Sequence, residues 1–140
     1  MSHANVEHVR AMLDAWNEGG PEDLVRFMAD EHEWLEVEGR PESAGSPMVR
    51  GRDSMQSSLD ALFDAWESYR LEPEEVRDVD DERVLAIVRE VARGRTSGVE
   101  VESRWGYLMT FRDGLIVRVE AYRDADRAIE AAETATKESQ

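Results

Sequence analysis

The sequence predicts an α+β domain, and three observations carry that prediction. Apolar residues recur at helical spacing in three segments of the first half of the chain. Four strand-like stretches, 69–79, 84–94, 100–112 and 115–123, then follow one another with only turn signals between them. A last helical stretch closes the chain. Consecutive strands with short turns argue an antiparallel meander, and the helices that precede it would cover one face of that sheet.

The elements follow in order. Val6, Val9, Leu13 and Trp16, with Met12 beside them, mark the first helix, which Gly19 and Gly20 stop. Pro21 suits the first position of a second helix, with Glu22 and Asp23 at its positive end and Leu24, Phe27 and Met28 as its apolar face. "HEWLEVEG" at 32–39 reads as a strand, and "RPESAGSPMVRG" at 40–51 as a loop. Met55, Leu59, Leu62, Phe63 and Trp66 mark a third helix, with Asp53 or Ser54 as its cap. Pro73 places the first strand of the meander at an edge, or breaks it. Asp124 caps a final helix over 125–134 with Ala128, Ile129 and Ala132 inward, and 134–140 reads as a frayed tail. One domain over 1–140, with its core at about 5–133, is the expected organisation.

The formal charge is −15, from 32 acidic against 17 basic residues. Such a field repels nucleic acid and anionic membrane surfaces, so neither is expected as a partner. The chain has no cysteine, which excludes disulfides, thiolate metal sites and a cysteine nucleophile. There is no apolar run of the ~20 residues a bilayer span needs, and the first ten residues lack the order of a secretory signal. A cytoplasmic protein is the expectation. No histidine or carboxylate spacing suggests a metal, and no phosphate-binding, dinucleotide-binding or serine-nucleophile motif occurs.

The stretch "RWGYLMTFRDGLIVRVEAYRD" at 104–124 is the most informative. Trp105, Tyr107, Met109 and Phe111 alternate along one strand, so they share one side. If Asp113–Gly114 is a two-residue loop, Tyr107 pairs with Glu120 and Met109 with Arg118. If Arg112–Asp113–Gly114 is a three-residue loop with Gly114 in a left-handed bulge, Tyr107 pairs with Val119 and Met109 with Val117. The second register collects Val117, Val119 and Ala121 on the aromatic side and sends Arg118, Glu120 and Tyr122 out, with Leu108 as the exception. Burying Val117 and Val119 costs less than burying Arg118 and Glu120, so the three-residue loop is favoured.

In this order of elements the chain resembles the nuclear transport factor 2-like superfamily, and within it the SnoaL-like proteins, relatives of steroid isomerases, limonene-epoxide hydrolase and polyketide cyclases. The likeness is carried by "HEWLEVEG", by "VREVARGRTSG" at 88–98 and by "TFRDGLIVRVEAYRDADRAIEAA" at 110–132. The resemblance implies a cone of curved, mostly antiparallel sheet packed on three N-terminal helices, with a C-terminal helix. It also implies a pocket between sheet and helices, a homodimer, and cofactor-free chemistry.

Carried over residue by residue, the resemblance puts a carboxylate base at Glu36 and a hydrogen-bond donor for an enolate oxygen at Tyr107. The second donor position falls on Met12, which cannot donate, and the acid position on the last strand falls on Ala121. Arg89 shares the parity of Leu85, Ile87 and Val91, taken as inward by the same alignment. It would pair with Glu36 or bind an acidic ligand. The expected pocket lining is Met12, Trp16, Trp34, Met55, Leu59 and Arg89, with Val91, Trp105, Met109, Val119 and Ala121 opposite. Glu36 faces water if Leu35 and Val37 point inward; the parity of Trp34 argues that it points in. His32 shares that parity, which would make it a ligand or an acid, but it stands at the start of its strand beside Asp30 and Glu31, where exposure is usual. Two functions follow: a cofactor-free isomerase, cyclase or hydratase acting on a small hydrophobic carbonyl compound, or a non-catalytic binding protein with the same pocket. A third is a dimeric interaction domain using Leu108 and Tyr122 on the outer face of the sheet.

Overall fold

The computed structural model describes residues 3–18, 24–36 and 48–138. Helix α1 spans His3–Glu18, and strands β1 (Met28–Glu36) and β2 (Met48–Arg50) follow. Then come α2 (Arg52–Ala65), the strands β3 (Trp66–Asp78), β4 (Arg83–Gly94), β5 (Glu100–Arg112) and β6 (Leu115–Tyr122), and α3 (Ala125–Glu138). The architecture is an α+β cone: one open, curved sheet in the order β2-β1-β6-β5-β4-β3, with helices on both faces. The meander β3 to β6 is antiparallel throughout, and β1 joins it by pairing parallel to β6 and antiparallel to β2.

Several expectations meet corrections. The second helix was expected to run to Met28; instead Phe27 N–H donates to the Leu24 carbonyl in a tight turn and Met28 already begins β1. Gly19 to Asp23, the stop and start signals of that helix, lie outside the described residues, as do 37–47 of the expected loop. The loop's last residues instead form β2, which the sequence did not mark. Neither Asp53 nor Ser54 caps α2; the cap position is Gly51, at φ 86°, without a side-chain bond. Arg95 closes the other end of α2 by donating to the carbonyls of Phe63, Asp64 and Trp66. Asp124 does cap α3, accepting from the Asp126 N–H at 2.9 Å, but that helix runs on to Glu138 through most of the expected tail.

The β5–β6 hairpin resolves differently from either register considered. Asp113 (φ 54°) and Gly114 (φ 80°) form a two-residue loop with both central residues left-handed. The compensating residue is Val117, a bulge between the pairs Phe111↔Ile116 and Thr110↔Arg118. Beyond it Met109 pairs with Val119 and Tyr107 with Ala121. The faces therefore segregate as the cost of burying Arg118 and Glu120 requires, by another route.

The inner face packs on α1: Val84, Ala86 and Val88 of β4, Tyr107 and Met109 of β5 and Val119 of β6 join Val9, Met12 and Leu13 in one core. The outer face carries a second core in which Leu85, Ile87, Leu108 and Tyr122 meet Ala125, Ala128 and Ala132 of α3. That corrects the proposed dimer surface: Leu108 and Tyr122 are 3% and 8% exposed because α3 covers them. Gly106 permits the approach, since a Cβ there would stand 2.3 Å from that of Ala128.

Candidate functional site

A cavity of about 840 Å³ lies between the inner face of the sheet and helices α1 and α2. This is within the usual range for small-molecule pockets. Tyr107, Met109 and Ala121 line it from β5 and β6, and Met12, Leu13 and Trp16 from α1. Met55 and Leu59 contribute from α2, while Trp66, Tyr69 and Leu71 contribute from the edge strand β3. Trp34 and Trp105 complete an unusual feature: all four tryptophans of the chain border this one space. Trp105 stacks on Tyr107 with ring centroids 6.2 Å apart, and Trp34 meets Tyr107 edge-on at 5.7 Å. Trp16 and Trp66 flank Tyr69 at 5.5 and 5.9 Å.

Polar pairing holds α1 against the edge of the sheet. Asn17 acts as a short stretch of strand, its Nδ2 donating to the Leu71 carbonyl and its Oδ1 accepting from the Leu71 N–H, both at 2.9 Å. One residue earlier, Trp16 Nε1 donates to the Tyr69 carbonyl at 2.9 Å. The ends of α1 and β3 thereby fix the wall from which Trp16 and Tyr69 enter the cavity.

The polar centre of that wall is Glu90. On β4 the residues facing the cavity side are Val84, Ala86, Val88 and then Glu90, the parity opposite to the one expected. Glu90 is 8% exposed. Its Oε1 accepts from Ser103 Oγ at 3.1 Å, and its Oε2 accepts a short hydrogen bond from the Tyr69 hydroxyl. Ser103 Oγ in turn accepts from Trp105 Nε1 at 3.1 Å. The three strands bring this about by register: Glu90 pairs with Leu71 on one side and with Ser103 on the other. Sequence reasoning missed Glu90, Tyr69 and Ser103.

The expected residues divide as follows. Met12, Trp16, Trp34, Met55 and Leu59 border the cavity, as do Trp105, Tyr107, Met109 and Ala121. Val119 is fully buried in the adjoining core without bordering the space. Arg89 is corrected: it stands on the outer face, half-exposed, donating to Glu102 at 2.8 Å and to Glu72 at 3.1 Å. Those partners raise its guanidinium pKa and lower that of the Glu102 carboxyl. Val91 shares Arg89's parity and is likewise outside the lining. Glu36 pairs through its backbone with Ala121, but its side chain lies outside the described residues.

His32 is corrected as well: it is buried rather than exposed. Its Nδ1 lies 3.0 Å from the Ala29 carbonyl, which can only accept, so Nδ1 carries the proton of the neutral ring. Burial lowers its pKa below the ordinary 6.5, with the Arg52 charge adding to the effect against the Ala29 bond. It does not border the cavity. Among the described residues no group of three or more His, Cys, Asp or Glu could hold a metal, and no helix is long and apolar enough to cross a membrane.

The model of the SnoaL-like domain matches residues 9–119. Among solved structures, a nuclear transport factor 2-like protein of unknown function from Burkholderia pseudomallei superposes with a TM-score of 0.75 at 18% identity, covering 93% of this chain and 97% of that one. A candidate polyketide cyclase from Xanthomonas campestris pv. campestris gives 0.70 at 22% identity, covering 92% and 96%. A protein from Catenulispora acidiphila with a ketosteroid isomerase-like fold, solved in complex with trimethylamine, gives 0.71 at 13% identity, covering 91% and 92%. No curated protein matches. At these identities the structural relatives establish the fold alone.

Proposed function

The chain belongs to the SnoaL-like domain family, and we propose that it is a small-molecule pocket protein whose ligand is largely apolar and sets its polar group against Glu90. One observation carries this reading: a cavity of about 840 Å³ walled by tryptophans and aliphatic side chains has a carboxylate, buried and already oriented by Tyr69 and Ser103, in its wall. Apolar pockets with few convergent polar groups are how folds recognise small molecules. The Catenulispora relative solved with trimethylamine supports a ligand of modest size.

The test is thermal unfolding with small carbonyl compounds, phenols, steroids and aromatic acids, alcohols and amines. A ligand of the folded state raises Tm by mass action. Ala121→Phe projects a ring into the cavity from the sheet and is expected to reduce the shift. A flat panel, or a shift that Ala121→Phe leaves undiminished, would contradict the reading.

A second reading is cofactor-free proton transfer on a hydrophobic carbonyl compound, of isomerase, cyclase or hydratase type. It is favoured by the presence of a carboxylate and phenols around one cavity, Glu90 with Tyr69 and Tyr107. In it, Glu90 or Glu36 takes a proton from the carbon beside the carbonyl and Tyr107 donates to the enolate oxygen. Deuterium exchange beside a ligand carbonyl, lost in Glu90→Gln or Glu36→Gln, would support it; exchange at the uncatalysed rate would sink it.

A further inference from the structure

We propose that the cavity is built for an organic cation: a small amine with an apolar or aromatic body, its nitrogen set against the Glu90 carboxylate. This rests on the ligand-cavity reading above and adds the chemical class of the ligand.

The first observation is the partnering of Glu90. Both oxygens receive hydrogen bonds, but from neutral hydroxyls, Ser103 on one and Tyr69 on the other. No ion pair to Glu90 occurs among the described residues. The neighbouring carboxylates of this sheet differ: Glu72 and Glu102 share Arg89, and Glu74 holds Arg104, all on the outer face. A carboxylate withdrawn from water is best compensated by a cation. Here the cavity side is where one can enter.

The second observation is what surrounds it. The Tyr69 ring, whose hydroxyl reaches Glu90, is flanked by Trp16 and Trp66, and the Ser103 hydroxyl is held by the Trp105 indole. Aromatic faces beside a carboxylate attract ammonium groups through the ring quadrupole, most strongly where water is excluded. Trp105 already takes a cation on the exposed side of the site, where the Arg123 guanidinium lies 5.8 Å from its ring centroid. Among the described residues, Arg123 is the one other charged residue bordering the cavity. An anionic ligand would meet it at the surface, but further in, among the described residues, would face the Glu90 carboxylate. The third observation is the formal charge of −15, which draws cations to the molecule as a whole.

The test is calorimetric titration of the full chain with three probes that share a phenyl ring and a short chain: 2-phenylethylammonium, 2-phenylethanol and 3-phenylpropanoate. The amine is expected to bind about ten-fold or more tightly than the alcohol, the size of a charged hydrogen bond with ring contact, and the anion most weakly. In Glu90→Gln the amine should fall to the affinity of the alcohol, while the alcohol is little changed. If the alcohol binds as well as the amine, or the preference survives Glu90→Gln, the cation proposal is overturned and the pocket reading stands. If none of the three binds, both are overturned. Should Glu90→Gln fail to fold, the wild-type comparison of amine with alcohol decides alone.

Discussion

Arg89 and Glu90 are adjacent in the chain and end in opposite surroundings, one in water between two glutamates and one in the wall of an apolar cavity. The sequence could not assign them, because β4 is buried on both faces. Val84 to Val88 are apolar without alternation, so parity had no internal reference. The aromatic stripe of β5, where inner residues alternate with Thr110 and Arg104, was legible for the converse reason. Tyr69→Phe strips a donor from the buried Glu90 carboxylate and should cost about 1–3 kcal/mol in urea unfolding; an unchanged midpoint would mean that the bond contributes nothing. His32 gives a pH dependence. Its folded-state pKa lies below the ordinary 6.5, so the unfolded chain takes up the proton first. Its contribution is intact above that value and is lost as the pH falls from there through the lowered folded-state pKa. His32→Asn keeps a donor for the Ala29 carbonyl and removes the titration. Melting at pH 7.5 and 5.5 should therefore show a smaller loss in the variant than in the wild type; equal losses would contradict this.

Among the elements, the hairpin is where sequence and structure part most instructively. The requirement that Arg118 and Glu120 avoid the inner face was readable from composition. How the chain meets it was not, since a glycine bulge at the loop and a valine bulge three residues later satisfy the same requirement. Gly114, at φ 80°, has no atom within 4 Å of where its Cβ would be, so Gly114→Ala isolates the backbone cost. A destabilisation of about 1–2 kcal/mol is expected. Gly106→Ala is the opposite case, ordinary in φ and crowded: its Cβ would meet Ala128 and drive α3 off the sheet. It should cost about 3 kcal/mol or more, and Ala128→Gly in the same chain should recover part of that loss. Additive losses in the double variant would show that the contact is not the cause.

At the scale of the whole molecule, most of the order of elements was legible, though not β2, and so was the meander, because its turns are short and its strands consecutive. The parallel joining of β1 to β6 was not, because it pairs residues some 85 positions apart with no local signal. Nor was the cavity's chemistry, which three strands assemble through register rather than through any motif. The acidity makes one global prediction: raising sodium chloride from about 20 mM to about 500 mM shortens the range of self-repulsion and should raise Tm. A fall would mean that the outer-face ion pairs outweigh the net charge. The central claim, that the aromatic face encloses a ligand site rather than a filled core, has a built-in reporter, since every tryptophan borders the cavity. The most direct measurement is the intrinsic fluorescence of the wild-type chain titrated with 2-phenylethylammonium. The account predicts a saturable change in the tryptophan emission, at an affinity that Ala121→Phe lowers. Emission that is unmoved, or that drifts linearly without saturation in both proteins, would contradict it.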